Sequence, residues 1–444
     1  MTLAPNVAVA AAPSLSSVLR RPAFVLLVAG QAISQFGDKL HHMALIALVG
    51  VGATAATGGL ELAKLSVVFT APVVVFGPLA GALVDRWNKR LTMIVCDGLR
   101  AILVCAMPAL YAATGHLWSV YVAAFFVFLL GLFFNSAKMA LIPDLVAREE
   151  LLPANAALTS IGRVATVGGI VGGGLILSSA VWARFGWSSY SAGFYLDAAS
   201  FVLSVMTLLG ILAVARGGQE ASRLRPSSPR RMVKRPLGGL VHDVREALGL
   251  VRRTPGLQFA FGSLMLLGLF ASTVYVAMTV SVQTVMGRGT RGVGYLGGLL
   301  AAGMVAGSLA VGTWGAGIRR ERLITWGTVA IGCLMIAAGV WFSFRVFVPV
   351  AFIGGALLAP VMVTQDTLLH ELAPRSGRAV LFSTKDLLVA GTFAGCAFLV
   401  GGVVYMLGAS GVGEPYRWVL GLVGGVIVSA ALAIAQTTNR LRIM

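Results

Sequence analysis

The sequence predicts an all-α integral membrane protein, with twelve transmembrane helices arranged as two parallel-repeat six-helix halves. Three observations support this prediction. Only 11% of the 444 residues are charged and 58% are hydrophobic, whereas a soluble domain carries roughly 25% charged residues. The apolar residues form long runs, each near the length of about 20 residues that a bilayer-spanning helix needs. A segment of the first half of the chain also recurs in the second half.

The apolar runs fall into two sets of six, separated by a basic segment. In chain order, the predicted spans are 22–51, 62–84, 91–114, 118–142, 153–182 and 189–214, then 257–286, 292–317, 322–342, 345–369, 378–408 and 415–436. The predicted organisation is a tail at 1–21, a first half at 22–215, a linker at 216–256, a second half at 257–436 and a tail at 437–444.

The Lys and Arg residues predict the orientation. Most of the 34 lie near the two termini, in the linker and in the loops after every second span. Because positively charged loops stay in the cytoplasm, we expect both termini in the cytoplasm and the protein in the cytoplasmic (inner) membrane. This pattern assigns the net charge of +18 to membrane-facing loops and excludes nucleic acid as a partner. In the linker, Val244, Leu248 and Val251 recur at helical spacing, which predicts an amphipathic helix on the lipid surface.

An internal repeat relates the two halves. Residues 137–148, AKMALIPDLVAR, align without gaps to residues 364–375, TQDTLLHELAPR. Asp144 coincides with Glu371, and leucines and arginines coincide around them. The repeat pairs the fourth span with the tenth. Because that offset is even, the two halves have the same topology in the membrane.

A loop motif between the second and third spans points to a family. The chain has Gly77 and Gly81, then Asp85-Arg86, then Lys89-Arg90. This resembles the signature loop of the major facilitator superfamily, whose members are secondary transporters. The resemblance implies a gate between the halves that includes Asp85, Arg86 and Arg90. We expect the two glycines to allow close approach of a neighbouring helix, and Asp144 and Glu371 to join the same charge network.

The first span carries a polar stripe formed by Gln31, Gln35, Asp38 and His42, at steps of four, three and four residues. Residues at this spacing share one face of a helix, and ionisable groups inside a membrane usually face a cavity or a partner. We therefore predict that Asp38 and His42 serve proton coupling or substrate binding. The alternative is a structural pair packed against another helix.

Further charges lie inside predicted spans. Lys138, Arg163 and Asp366 are candidates for the substrate cavity. The cations Lys138 and Arg163 would suit an anionic or zwitterionic cargo, or they would neutralise Asp38. Asp197 in the sixth span, and Lys385 with Asp386 in the eleventh, are further candidates. Asp97 and Arg100, three residues apart, are interpreted as a local structural pair.

Three resemblances compete for the cargo. Residues 143–156 and 245–255 are similar to bacterial efflux permeases, including macrolide and siderophore exporters. Phe36-Gly37-Asp38, together with Ala137-Lys138, is similar to lysophospholipid transporters. Residues 37–42, GDKLHH, are similar to the first span of ferroportin-type metal exporters, which implies Asp38 and His42 as metal ligands in that alternative.

The leading hypothesis is a proton-coupled exporter of small organic compounds that works by alternating access. A lysophospholipid transporter or a divalent-metal exporter is the alternative. The chain has no nucleotide-binding loop, no H-E-x-x-H and no G-x-S-x-G, so we predict a transporter rather than an enzyme. The expected partners are a small molecule, protons and lipid. We expect a monomer without a cofactor, and in the leading hypothesis without a metal.

Overall fold

The computed structural model describes residues 15–84, 86–217, 237–314, 319–373 and 378–443. Twelve long helices within these ranges confirm the predicted fold class. Their bounds are α1 Pro22–Gly52, α2 Gly58–Val84, α3 Lys89–Thr114, α4 Leu117–Leu145, α5 Leu151–Leu177, α6 Ser189–Gly217, α7 Pro255–Val285, α8 Gly289–Trp314, α9 Arg320–Val340, α10 Phe344–Leu372, α11 Arg378–Ala409 and α12 Pro415–Ile443.

Within the described ranges, eleven of these helices are long and apolar enough to cross a membrane. The remaining long helix is α1, whose polar stripe lowers its hydropathy. Pro22 lies in the first turn of α1, where its fixed φ favours helix and its missing N–H costs nothing. A polar stripe inside a spanning helix is tolerated where the stripe faces protein or water instead of lipid.

Two predicted spans run three residues or more past the ends of their helices, whereas α12 continues to Ile443, beyond the predicted span end at 436. The fifth span was expected to reach residue 182, but α5 ends at Leu177 and a separate 3₁₀ helix covers Ala180–Phe185. The eighth span was expected to reach residue 317. Helix α8 ends at Trp314, and residues 315–318 lie outside the described chain.

The linker contains an amphipathic helix at Leu237–Arg253, which packs against α7 and α11. Residues 218–236 of the predicted linker lie outside the described residues. Helix α7 changes pitch along its length. It is α-helical over Pro255–Thr273 and π-helical over Val274–Met278 and Ser281–Val285. Such π-helical turns are rare and often mark functional positions.

The internal repeat is visible in the helix ends. Helix α4 ends at Leu145 and α10 ends at Leu372, and these two residues coincide in the gapless alignment. Asp144 forms an ion pair with Lys89, the first residue of α3, with 2.9 Å between Nζ and Oδ2. At the equivalent place in the second half, Glu371 forms an ion pair with Arg320, the first residue of α9.

The two halves meet most closely at the end of the bundle opposite the termini. Two helix crossings there bring backbone against backbone. A Cβ on Gly174 of α5 would lie 2.7 Å from the Cα of Gly294 of α8, and a Cβ on Gly401 of α11 would lie 2.8 Å from the carbonyl oxygen of Gly59 of α2. These distances are too short for any side chain, so glycine is what permits both crossings.

Two hydrogen bonds between the halves lie at the same end. Gln283 Nε2 of α7 donates to the carbonyl oxygen of Ile46 of α1 at 3.0 Å. The hydroxyl of Tyr416 of α12 donates to the carbonyl oxygen of Ala55, in the loop between α1 and α2, at 2.5 Å. These contacts close the bundle at this end.

Candidate functional site

The centre of the candidate site is Arg100 of α3. Its Nη2 donates to Oδ1 of Asp38, and its Nη1 donates to Oδ1 of Asp97 at 3.2 Å. The guanidinium also lies 4.0 Å over the ring of Phe201 of α6. Asp97 and Arg100 therefore do more than form a local pair, because the arginine joins α3 to the carboxylate of the α1 stripe.

The two carboxylates that share Arg100 differ in their exposure. The side chain of Asp97 is fully buried, that of Arg100 is 6% exposed, and that of Asp38 is 36% exposed. Asp97 also accepts a hydrogen bond of 2.6 Å from the hydroxyl of Ser204 of α6. Asp97 is thus a fixed, fully bonded counter-charge, whereas Asp38 is the member of the cluster that solvent and solutes can reach.

A polar ladder on α6 completes the cluster, and sequence reasoning missed most of it. Asp197, Ser200, Ser204 and Thr207 recur at steps of three, four and three residues, which places them on one helix face. Glycines of α1 face this ladder: a Cβ on Gly37 would lie 2.5 Å from Oδ1 of Asp197, and Gly30 lies against the hydroxyl of Thr207. The spacing was visible in the sequence, but serine and threonine in a spanning helix carry no specific signal.

The adjacent histidines of α1 have different surroundings. Nδ1 of His41 lies 3.4 Å from Oδ2 of Asp197, and both side chains are buried. His42 instead packs against aromatic rings, 5.3 Å between ring centroids from Phe69 of α2 and 5.8 Å from Tyr275 of α7. The stripe predicted His42 as the functional histidine, but it is His41 that contacts a carboxylate.

The aromatic rings around His42 join the two halves. Phe69 lies 5.8 Å from Tyr275 and 5.7 Å from Phe393 of α11, and Phe128 of α4 lies 5.8 Å from Phe69. We call Phe69, Phe128, Tyr275 and Phe393 the aromatic bridge. Tyr275 belongs to the first π-helical segment of α7. Its buried hydroxyl has no hydrogen-bond partner in the described chain.

The other predicted cavity residues are dispersed. Gln35 faces Gly162 of α5. Lys138 is buried and donates to Oδ1 of Asn135 at 2.7 Å. Arg163 is exposed on α5. In the second half, Asp366 is exposed and accepts a hydrogen bond of 3.0 Å from Lys385. The structure thus brings Asp38 together with α3 and α6, but it leaves Arg163 and Asp366 apart from that cluster.

The predicted gate residues lie at the end of the bundle where the termini lie. A Cβ on Gly77 or Gly81 would meet no described heavy atom within 4 Å, so the expected close approach at these glycines is absent from this conformation. Arg86 is exposed and Arg90 is half-buried. Asp85 lies outside the described residues. Asp144 and Glu371 each form an ion pair within their own half rather than with one another.

The alternative metal ligands, Asp38 and His42, have other contacts. Asp38 accepts a hydrogen bond from Arg100, and the ring of His42 lies among Phe69 and Tyr275. Across the described residues, no group of three or more His, Cys, Asp or Glu side chains is arranged to hold a metal ion.

Known proteins similar to this chain share its fold. The chain is 24% identical over 434 residues to macrolide efflux protein A of Streptococcus pyogenes, covering 94% of this chain and 96% of that protein. It is 28% identical over 182 residues to the uncharacterized MFS-type transporter YfiS of Bacillus subtilis, so the match spans only 40% of that relative.

Among solved structures, a bacterial homologue of the iron transporter ferroportin in its inward-facing state superimposes with a TM-score of 0.69 at 15% identity, covering 94% of this chain and 99% of that one. A bacterial homologue of the lysosomal transporter Spinster, inward-facing and unoccupied, gives a TM-score of 0.69 at 13% identity, covering 97% and 98%. These likenesses establish the fold. The sequence also matches the profile of the Major Facilitator Superfamily over residues 27–384, and the chain therefore belongs to that superfamily.

Proposed function

We propose that the protein is a proton-coupled exporter of small organic compounds that works by alternating access of its two six-helix halves. The observation that carries this proposal is the partly exposed carboxylate of Asp38, bound to the buried guanidinium of Arg100. A buried charge requires a partner, and here one of the partners is within reach of solvent. A proton that arrives at Asp38 removes its negative charge and leaves Arg100 bonded to Asp97 alone.

The orientation of the transporter follows from its positive charges. The basic loops and both termini lie at one end of the bundle, which we assign to the cytoplasm. The glycine crossings and the two hydrogen bonds between the halves lie at the other end. With this orientation, the described conformation is closed toward the outside and faces inward, so Asp38 exchanges protons with the cytoplasmic side.

The proposed cargo class is apolar organic compounds. The similarity to macrolide efflux protein A along nearly the whole chain supports it, and so do the aromatic bridge and the apolar composition of the helices. In this proposal Gln35, His42 and Lys138 lie along the substrate cavity, with Arg163 and Asp366 farther from Asp38. The transporter performs no covalent chemistry on its cargo.

The alternative cargoes have less support. For a divalent metal, Asp38 would have to leave Arg100, and that cation would repel the incoming ion. For a lysophospholipid, the buried ammonium of Lys138 would bind the headgroup phosphate. The Lys138 ammonium already donates to Oδ1 of Asn135, so a phosphate oxygen would have to replace that amide oxygen.

Proton movement in proteoliposomes that enclose a pH-sensitive dye tests the proposal. A macrolide, a lysophospholipid and a divalent metal are added in separate arms to wild type, Asp38→Asn and Glu414→Gln. Glu414 lies in the exposed loop before α12 and pairs with Arg417, so its variant is a control for the loss of a carboxylate.

We expect a macrolide-driven proton flux in wild type and Glu414→Gln that Asp38→Asn abolishes. Macrolide movement without proton flux would refute coupling. A flux driven only by the lipid or the metal would replace the proposed cargo.

A further inference from the structure

His41 and Asp197 form a buried titratable pair that the proposed function leaves unused. The His41 side chain is 2% exposed and that of Asp197 is fully buried. Both ring nitrogens of His41 and Oδ2 of Asp197 lack hydrogen-bond partners in the described chain. Buried polar atoms are nearly always hydrogen-bonded, so a contact whose two facing atoms, Nδ1 and Oδ2, are both unsatisfied needs an explanation.

The contact can bind one proton from water in addition to the proton that a neutral imidazole already carries. Nδ1 and Oδ2 are 3.4 Å apart, slightly beyond the usual hydrogen-bond distance. One proton taken from water and held between these two atoms would give either a neutral acid beside a neutral imidazole or an ion pair. In both cases the charge of the pair changes by one, and no other bond is made or broken.

Protonation of the pair affects the charged groups that surround it. On α1, Asp38, Lys39 and His42 are its sequence neighbours. On α3, Arg100 and Asp97 face it, and Lys138 of α4 and Arg163 of α5 lie on the other helices of this half. Arg100 is already divided between Asp38 and Asp97, so it cannot fully compensate a third carboxylate. Each proton bound or lost at Asp197 therefore alters how tightly Arg100 holds Asp38.

The pair is also in physical contact with the aromatic bridge. The ring of His41 lies 5.8 Å from that of Phe128, edge to face. Phe128 contacts Phe69, which contacts Tyr275 and Phe393 of the other half. A change in the position of the imidazole thus reaches the interface between the halves through two rings, and no water or side-chain hydrogen bond is needed along the way.

We propose that the His41–Asp197 pair is a second proton-binding site, separate from Asp38, and that its occupancy controls the contact between the halves through Phe128 and Phe69. The proposal rests on the proposed function in that both concern one proton-linked cycle. The second-site proposal differs from the proposed function because it assigns the conformational step to a pair that the cargo does not touch. The glycine at position 37, which lets α1 approach Asp197, is what brings the two side chains together.

The test measures conformation without any cargo. Spin labels are placed at Ala56→Cys and Ser410→Cys, in exposed loops of the two halves at the closed end, after the four native cysteines are replaced by serine. Electron–electron distances are then recorded in lipid nanodiscs across a pH series. We expect the wild-type distance distribution to shift with pH between a short and a long population.

Four variants separate the outcomes. Asp197→Asn and His41→Gln should each lose the pH-dependent shift, and Phe69→Leu should reduce it severalfold. His116→Gln, which removes an exposed histidine before α4, should keep the wild-type response. The histidine variant provides the test if Asp197→Asn does not fold. A full pH response in either His41→Gln or Asp197→Asn would overturn the inference.

The same variants distinguish this inference from the proposed function. Macrolide-driven proton flux lost in Asp38→Asn, combined with an unchanged distance response in His41→Gln, would leave the proposed function standing and remove the second site. A pH-dependent distance shift lost in His41→Gln, combined with no cargo-driven flux in wild type, would support the second site and refute the proposed function.

Discussion

Asp144 at the end of α4 accepts a 2.9 Å hydrogen bond from Lys89 at the start of α3. The residues at the equivalent positions of the second half, Glu371 and Arg320, make the same pair. The two acidic residues were predicted to belong to a network between the halves. In this conformation each one ties neighbouring helices of its own half, which lets a half move as a rigid unit.

A double-mutant cycle at the first of these pairs measures the interaction energy between Lys89 of α3 and Asp144 of α4. Lys89 and Asp144 are 24% and 29% exposed, and ion pairs of this kind contribute roughly 0.2–1 kcal/mol. We expect Lys89→Met and Asp144→Asn each to lower the thermal unfolding temperature in detergent, with the double variant no worse than the poorer single one. Fully additive losses would mean that the pair contributes nothing.

Removing Arg100 should be far more damaging. Arg100→Leu leaves the fully buried Asp97 without its guanidinium, and breaking a buried ion pair in this way costs about 3–5 kcal/mol. We expect a large loss of monodisperse protein in size-exclusion chromatography. Arg100→Leu combined with Asp97→Asn should recover part of the yield, because the uncompensated charge is gone. A stable Arg100→Leu single variant would contradict the central role of this residue.

Two glycine-to-alanine changes should have opposite effects on stability. A Cβ on Gly37 would lie 2.5 Å from Oδ1 of Asp197, so Gly37→Ala forces α1 away from α6, and overpacking typically costs about 1–3 kcal/mol. A Cβ on Gly98 of α3 would meet no heavy atom of the described chain within 4 Å. Gly98→Ala should therefore be neutral or gain roughly 1 kcal/mol from helix propensity. Unfolding temperatures of the two variants decide the matter, and equal values would argue against close packing at Gly37.

Neighbouring glycines of α11 provide a matched test of the contact between the halves. A Cβ on Gly401 would lie 2.8 Å from the carbonyl oxygen of Gly59, whereas a Cβ on Gly402 would meet no heavy atom of the described residues within 4 Å. We expect Gly401→Ala to loosen the closed end and Gly402→Ala to leave it intact. A loosening of about 1.4 kcal/mol corresponds to a tenfold change in the population of the open form.

The readout for these two variants is a buried position at the same end. Val280 of α7 is 2% exposed and lies next to Gly58 of α2. Val280→Cys, in a chain without its native cysteines, should react faster with a membrane-impermeant thiol reagent in Gly401→Ala than in Gly402→Ala. Equal rates in the two backgrounds would show that the crossing does not limit opening.

Much of the fold was predictable because each spanning helix is specified locally. Length and apolar composition predicted twelve spans, and the gapless repeat paired the fourth span with the tenth; the corresponding helices, α4 and α10, end at equivalent residues, Leu145 and Leu372. The two predicted spans that overran their helices lie where the chain stays apolar past the helix. After Leu177 the sequence offers no charge until Arg184, so composition alone gave no signal for the end of α5.

The site was predicted only in part because spacing does not fix the rotation of a helix. The polar stripe indicated that α1 carries polar groups that face protein rather than lipid, and Asp38 of that stripe contacts Arg100 of α3. Adjacent residues of a helix point about 100° apart, however, and the stripe selected His42, whereas His41 is the histidine that contacts a carboxylate. The partner of Asp38 could not be predicted either. Arg100 lies three residues after Asp97 in the sequence, and its second contact, with Asp38, depends on where α3 packs.

The seal between the halves also has an electrical consequence. At the closed end, the layer between the aromatic bridge and the outer loops includes the two close backbone crossings, Gly174 against Gly294 and Gly59 against Gly401. In the inward-facing orientation that we propose, most of the membrane voltage falls across this layer. A charge at Asp38 then sits near the potential of the cytoplasm. Moving one elementary charge across a potential of 100 mV takes about 2.3 kcal/mol. The charge at Asp38 crosses the membrane potential only when the halves rock and the layer moves to the other side of Asp38.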